Sequence, residues 1–273
     1  MTTVNIIGAG KVGATFIQLI GAHSALQLGD VHSRRSDAVA NLLEGYSSAH
    51  VAAAITDMRP ADLWLITVPD DQISLVADAL SYADVPASVA LHCSGFLSSQ
   101  ALGSLASKGW HVGSCHPVRS FADPSTAAAD FAGTYCGIEG DDAATHLANA
   151  FIDALGGHPF PVTTDSKAIY HAAAVFSNNF AVVLQAIAQE AWAEAGVPAE
   201  IAKALGDDLL NNAAVNIAQT DPRQALTGPA ARGDMNVLQQ QQAALTEWNS
   251  DIADLYAKLS KMAGRLKTNG QVT

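Results

Sequence analysis

Basic residues are scarce in this chain: 14 Lys and Arg stand against 26 Asp and Glu, a formal net charge of -12. That deficit works against a general affinity for nucleic acid or for an anionic membrane surface. Cysteine is scarcer still, with only Cys93, Cys115 and Cys136. Three is an odd number, and buried thiols in a reducing compartment are the expectation. The sequence also lacks a charged segment followed by a short apolar run at its start, and it shows no uninterrupted apolar stretch of bilayer-spanning length. These absences predict a cytoplasmic protein with neither a membrane nor a nucleic-acid partner. Apolar residues, by contrast, are abundant. They make up 49% of 273 residues, enough for a large core in one big or two ordinary domains and too many for a disordered chain.

The most informative stretch is the first. Val4-Asn5-Ile6-Ile7 is a short apolar run that breaks into Gly8-Ala9-Gly10-Lys11-Val12-Gly13 and then resumes with helical periodicity. It reads as strand, tight turn and helix. Gly8 permits the turn, Gly10 lets the backbone approach a pyrophosphate, and Gly13 lets the helix pack on the strand. The helix N-terminus at Lys11 and Val12 then turns free N–H groups and a positive dipole end toward the phosphates. A second strand, Leu26 to His32, ends in Ser33-Arg34-Arg35. An NAD-selective site would carry an acidic residue at this strand end, about 20 residues past the last glycine, to hold the ribose 2′-hydroxyl. A hydroxyl and a guanidinium suit a 2′-phosphate instead, so Ser33 and Arg34 favour NADP(H). Two alternatives stay open: a solvated basic turn, or Asp30 as the acidic ribose ligand in a shifted register.

Strands and helices then alternate. Strands are expected near His50 to Ala54, Asp62 to Val68, Ser88 to His92, His111 to Cys115 and Tyr135 to Glu139, with helices at Asp37 to Leu43, Gln72 to Leu80 and Asp142 to Leu155. This pattern up to residue 162 predicts an α/β domain, a doubly wound parallel sheet with some later strands antiparallel. Ligands sit in loops at the carboxyl ends of parallel strands, which brings Val68-Pro69, Ser94-Gly95 and His116 to the mouth of the fold. Val68 and Pro69 would line the cofactor, and Ser94 and His116 the reacting end. A metal reading of His92, Cys93, Cys115 and His116 is weak, because adjacent strand residues point to opposite faces.

From residue 163 the signal is helical to the end, an all-α C-terminal domain. Ser166 to Ala195 reads as one nearly unbroken apolar helix, followed by helices at Ala199 to Gln219 and about Asn236 to Leu266. On the first, Lys167, His171 and Asn178 are spaced by four and seven and share one stripe. Polar groups on an apolar helix must find partners or face a cavity. The stripe is therefore either a catalytic face for a substrate carbonyl or carboxylate, or a set of structural hydrogen bonds. Arg232, in Leu226-Thr227-Gly228-Pro229-Ala230-Ala231-Arg232-Gly233-Asp234, either holds a substrate carboxylate or phosphate or lies in a solvated turn paired with Asp234.

Taken together, the glycine turn, Ser33-Arg34-Arg35, Thr67-Val68-Pro69-Asp70-Asp71, His92-Cys93-Ser94-Gly95, Cys115-His116-Pro117, Tyr170-His171 and Thr227-Gly228-Pro229 through Arg232-Gly233-Asp234 resemble the Rossmann-like proteins with domain of unknown function 2520. The architecture of that family is similar to the 6-phosphogluconate dehydrogenase-like superfamily, which includes pyrroline-5-carboxylate reductase, ketopantoate reductase and prephenate dehydrogenase. The resemblance implies a Rossmann-type sheet, NADP-dependent chemistry at a C=O or C=N centre, and a homodimer built through the helical domain. It also sets Lys167 against the helix lysine of hydroxyacid dehydrogenases and ketopantoate reductase, with His171 where those enzymes carry Asn. An NADP(H)-dependent oxidoreductase acting on a small, carboxylate-bearing carbonyl, hydroxyl or imine compound is the leading expectation. The rival is a catalytically silent NADPH-binding sensor or regulator, since fold alone does not separate the two.

Overall fold

A computed structural model of the chain describes residues 1–273, apart from the side chain of Ala38. The chain divides into two compact units, Met1–Val175 and Phe176–Thr273, where the sequence pattern suggested a division at 162/163. The first unit runs β1 (Thr2–Ile7), α1 (Lys11–Gly21), β2 (Leu26–His32), α2 (Ser36–Leu42), β3 (His50–Val51), β4 (Leu63–Ile66), α3 (Asp70–Leu80) and β5 (Val89–His92). It continues with α4 (Gly103–Ala106), β6 (His111–Pro117), α5 (Pro124–Ala129), β7 (Tyr135–Gly140), α6 (Asp142–Ala154), β8 (His158–Pro161) and α7 (Lys167–Ser177), within which the division between units falls.

The eight strands form one sheet in the order β3-β2-β1-β4-β5-β6-β7-β8. All neighbours are parallel except β6 and β7. β4 explains why the sheet is covered on both faces. Its four residues are fully buried, and successive side chains leave a strand on opposite sides. Leu63 and Leu65 join Phe16, Ile17 and Ile20 of α1 and Phe151 and Ile152 of α6. Trp64 and Ile66 join Ile73, Ala77 and Leu80 of α3 with Leu102 and Leu105. Such burial contributes about 1.5–3 kcal/mol for each large side chain. Cys115 and Cys136 lie in the first of these layers and Cys93 is half-buried; all three are free thiols.

β8 has no counterpart in the sequence reading. His158-Pro159-Phe160-Pro161 carries two prolines, which argue against a strand because each removes a ladder donor. The structure accommodates them by placing β8 at the sheet edge, paired only to β7, the one setting in which prolines cost a strand little.

The second unit contains α8 (Asn179–Glu194), α9 (Ala199–Gln219), α10 (Pro222–Ala225), α11 (Pro229–Arg232), α12 (Met235–Trp248) and α13 (Ser250–Asn269). Two expected long helices are divided. The stretch expected at Ser166 to Ala195 breaks at Asn178, where φ widens to -118° within the right-handed region. The stretch expected at Asn236 to Leu266 breaks at Asn249, which is extended and whose Oδ1 accepts from the N–H groups of Asp251 and Ile252. Asparagine is among the best N-caps, so Asn249 starts a new helix where periodicity alone sees one, whereas Asn178 makes no capping bond. Thr164–Glu194 is nevertheless long and apolar enough to cross a membrane by length and composition, a correction to the expectation of no such stretch. The polar Lys167 and His171 and the break at Asn178 interrupt it.

Candidate functional site

The turn after β1 is fixed by two glycines for different reasons. Gly8 has φ +106°, and a Cβ there would lie 2.9 Å from both the Thr67 carbonyl carbon and Val68 Cγ1. A Cβ at Gly13 would lie 2.0 Å from the Gly8 oxygen, so only glycine lets α1 start against the strand. Thr67 Oγ1 donates to that same Gly8 oxygen at 2.6 Å. Gly10 is different: open space lies where its Cβ would be. No side chain caps α1 at Gly10, and no acidic residue occupies its first turn, which leaves the first N–H groups and the positive dipole end for an anion.

A cavity of about 540 Å³ opens at this point, lined by Gly8, Gly10, Ser33, Arg34, Arg35 and Pro69, together with Thr67, Val68 and Gln72. It unites residues 60 positions apart. Lys11 and Val12 flank it in the first turn of α1 without lining it. Neither Arg34 nor Arg35 has an ion-pair partner among the described residues. Asp30, the alternative acidic ligand, is buried and bonded to the Arg59 backbone and guanidinium. It is therefore not free for a ribose. An open backbone approach, uncapped N–H groups and two unpaired guanidinium groups fit a phosphorylated dinucleotide.

Beside the cavity, a continuous hydrogen-bonded network occupies the carboxyl ends of β5 and β6. Asp70, next to Pro69, accepts from Ser94 Oγ at 2.8 Å. The Ser94 hydroxyl in turn accepts from the N–H groups of Phe96 and Leu97. Lys167 Nζ donates to the Ser94 carbonyl and to Ser114 Oγ, both at 2.9 Å. Ser114 donates to Glu139, which also accepts from Ser99 and Thr164. Burial disfavours the Glu139 charge, but these donors outweigh it and hold its pKa below the ordinary carboxylate value. Burial pushes the Lys167 pKa down, against the opposing pull of Glu139 and Asp70. Lys167 is 2% exposed, so its ammonium belongs to the scaffold of the Ser94-Gly95 loop.

His171 stands otherwise. Its Nδ1 is buried without a hydrogen-bond partner, and a Cβ on Gly95 would meet that atom at 2.5 Å and His116 Nε2 at 2.8 Å. Two imidazoles thus converge on one small glycine. Tyr170 holds the second of them, with its hydroxyl 2.8 Å from His116 Nδ1. Burial, with His171 and Lys167 nearby, lowers the His116 pKa to about 4, so this ring is neutral at pH 7. Burial likewise lowers His92 to about 4; its Nε2 bonds the Ser98 carbonyl and its Nδ1 accepts from Ser94 N–H. Burial pushes the Cys93 thiol pKa up, which keeps it protonated.

The structure therefore gathers Ser94, His116, Lys167 and His171 into one cluster within the first unit. Asn178 does not join them: it is exposed at the helix break, and the expected stripe ends there. Its side chain bonds only Asn179. Arg232 lies in the second unit at the end of α11. Its expected partner Asp234 instead caps α12 by accepting from Val237 N–H. Sequence reasoning missed Ser114, Glu139, Asp70 and Tyr170 as members of the network. The signal for Glu139 is a lone carboxylate inside the strand Tyr-Cys-Gly-Ile-Glu-Gly, a group that must be paired if the strand is buried.

Residues 134–263 match the family described as domain of unknown function (DUF2520). Over that stretch the chain is similar to the DUF2520 family. Lys167, Tyr170, His171, Asn178 and Arg232 fall within the DUF2520 match, and the glycine turn and Ser33-Arg34 lie before it. No curated protein matches the chain by sequence. Among solved structures, a Thermotoga maritima protein is 26% identical, with a TM-score of 0.76 over 96% of this chain and 98% of that one. An imine reductase from Myxococcus stipitatus in complex with NADP+ is 19% identical, with a TM-score of 0.66 over 98% and 95%. A pyrroline-5-carboxylate reductase from Coxiella burnetii is 15% identical, with a TM-score of 0.62 over 96% and 98%. These likenesses show a Rossmann-type fold followed by a helical region, with the DUF2520 match covering the last two strands of the sheet and most of the helices after them.

Proposed function

We propose that this protein is a cytoplasmic NADP(H)-dependent oxidoreductase acting on a small, carboxylate-bearing carbonyl, hydroxyl or imine compound, and that it works as a homodimer. The observation that carries the reading is the cavity uniting the glycine turn with Ser33, Arg34 and Arg35, supported by the imine and pyrroline-5-carboxylate reductases of the same fold. Gly8, Gly10 and the first N–H groups of α1, at Lys11, Val12 and Gly13, would hold the pyrophosphate. Ser33 and the two arginines would hold the 2′-phosphate, and Val68 and Pro69 would flank the cofactor.

When bound, the cofactor supplies the hydride. The chain must position the substrate and manage one proton. Tyr170 hydrogen-bonds His116 Nδ1 through its hydroxyl, which orients the neutral ring and leaves Nε2 toward Gly95. His171 is the proton-handling residue, because its Nδ1 is buried beside Gly95 and His116 without a hydrogen-bond partner. Lys167 and Asp70 are positioning residues that hold the Ser94-Gly95 loop against both rings.

Fluorescence titration with NADPH and NADH tests the cofactor: a marked preference for NADPH is expected, with about ten- to a hundredfold weaker NADPH binding in Arg34→Ala and little change for NADH. Equal affinity for both cofactors in the unaltered protein would overturn it. A panel of oxo acids, hydroxy acids and cyclic imines tests the chemistry. His171→Ala should lower turnover by about two orders of magnitude with NADPH binding intact. Tight NADPH binding with no turnover on the whole panel would instead favour a silent sensor.

A further inference from the structure

The second unit contains a groove of about 730 Å³ between α11, α12 and α13. Arg232, Lys258 and Lys261 line it, and no Asp or Glu does, although the chain carries 26 acidic residues against 14 basic ones. None of the three cations has an ion-pair partner among the described residues. Lys258 and Lys261 are one turn apart on α13, so they share a face. Arg232 is brought to the groove by the turn that ends α11. Gly233 takes the left-handed conformation at φ 72°, which reverses the chain, and Asp234 is committed to capping α12. Gly264 of α13 lies beside the Ala230 carbonyl at the groove. Lys267 Nζ ties down the Arg223 and Leu226 carbonyls. The wall is completed by apolar Met235 and Leu238.

Arg232, Lys258 and Lys261 are solvent-exposed along one groove, where a concentration of positive charge without local carboxylates favours a ligand bearing several anionic oxygens. We infer that this groove is an anion-binding site for a small molecule carrying a phosphate or paired carboxylates on an apolar body. The inference does not rest on the reading of the first unit.

Isothermal titration of the full-length protein with inorganic phosphate and, separately, with citrate tests it. Saturable binding of at least one probe is expected, weakening with added salt; the tighter probe tells whether phosphate or carboxylate is the better match. Arg232→Gln and Lys261→Gln should each weaken binding about tenfold, while NADPH binding is unchanged. Arg34→Ala separates the two units: with the first-unit cavity kept filled by saturating NADPH, it should leave phosphate and citrate binding in the groove unaltered. Absence of saturable binding by both probes, or loss in Arg34→Ala with none in Arg232→Gln and Lys261→Gln, would overturn the inference.

Discussion

Gly13 and Lys167 show how a single position can be fixed by its surroundings. Any side chain at Gly13 would press a Cβ to within 2.0 Å of the Gly8 oxygen, so Gly13→Ala should displace the α1 start, lower the melting temperature and weaken NADPH binding together. Lys167 is nearly inaccessible and bonded to Ser94 and Ser114. Lys167→Met should therefore cost about 3 kcal/mol in chemical denaturation, because it strands the Glu139 network without its cation. Histidine sets the pH dependence. His92 is neutral in the fold with a pKa near 4 against an ordinary value of 6.5, so between those values the unfolded chain binds the extra proton and stability falls as the solution is acidified. For the fully buried His92 this amounts to about 3 kcal/mol over the window. Glu139, whose pKa is lowered, contributes stability that is present above 4.5 and is lost as pH falls through its folded value. Denaturation midpoints measured from pH 7 to pH 4.5 should drop steadily, and His92→Gln should flatten that slope.

At the level of elements, caps decide where helices begin. Asn249 accepts two backbone N–H groups at the start of α13, and Asn249→Ala should cost about 1 kcal/mol of unfolding free energy. The same change to Asn178 should do less, since its side chain makes no capping bond. α7 matters for another reason: it delivers Lys167, Tyr170 and His171 to the ends of β5 and β6, so the helix that opens the apolar C-terminal region of the sequence also completes the polar network of the sheet.

The whole molecule presents an imbalance between its two units. The first holds almost all of the fully buried core, whereas α8 and α9 leave Val182 66%, Leu209 56% and Val215 51% exposed. An apolar surface of this extent on a chain with a net charge of -12 is expected to be covered, and a second copy of the same chain is the proposed cover. Sedimentation at micromolar concentration should give a dimer, and Leu209→Glu should shift it toward monomer. A monomeric unaltered protein would remove the idea.

The sequence alone determined the local chemistry. The alternation of strands and helices, the glycine turn and the hydroxyl-arginine pair at Ser33-Arg34 are each set by neighbours within a few residues, through backbone freedom, periodicity and phosphate complementarity. It could not place β8, because prolines argue against a strand until the sheet edge is known, and it could not end the helix at Asn178 or Asn249. Nor could spacing on one helix face separate Lys167 from His171. Their difference arises from residues 50 to 80 positions away: Ser94 and Ser114 consume the ammonium, while Gly95 and His116 crowd the imidazole and leave its Nδ1 unbonded. Burial and hydrogen-bond satisfaction are properties of what the fold brings together, so only the tertiary structure decided which of the two is fully bonded and which keeps an unpartnered nitrogen.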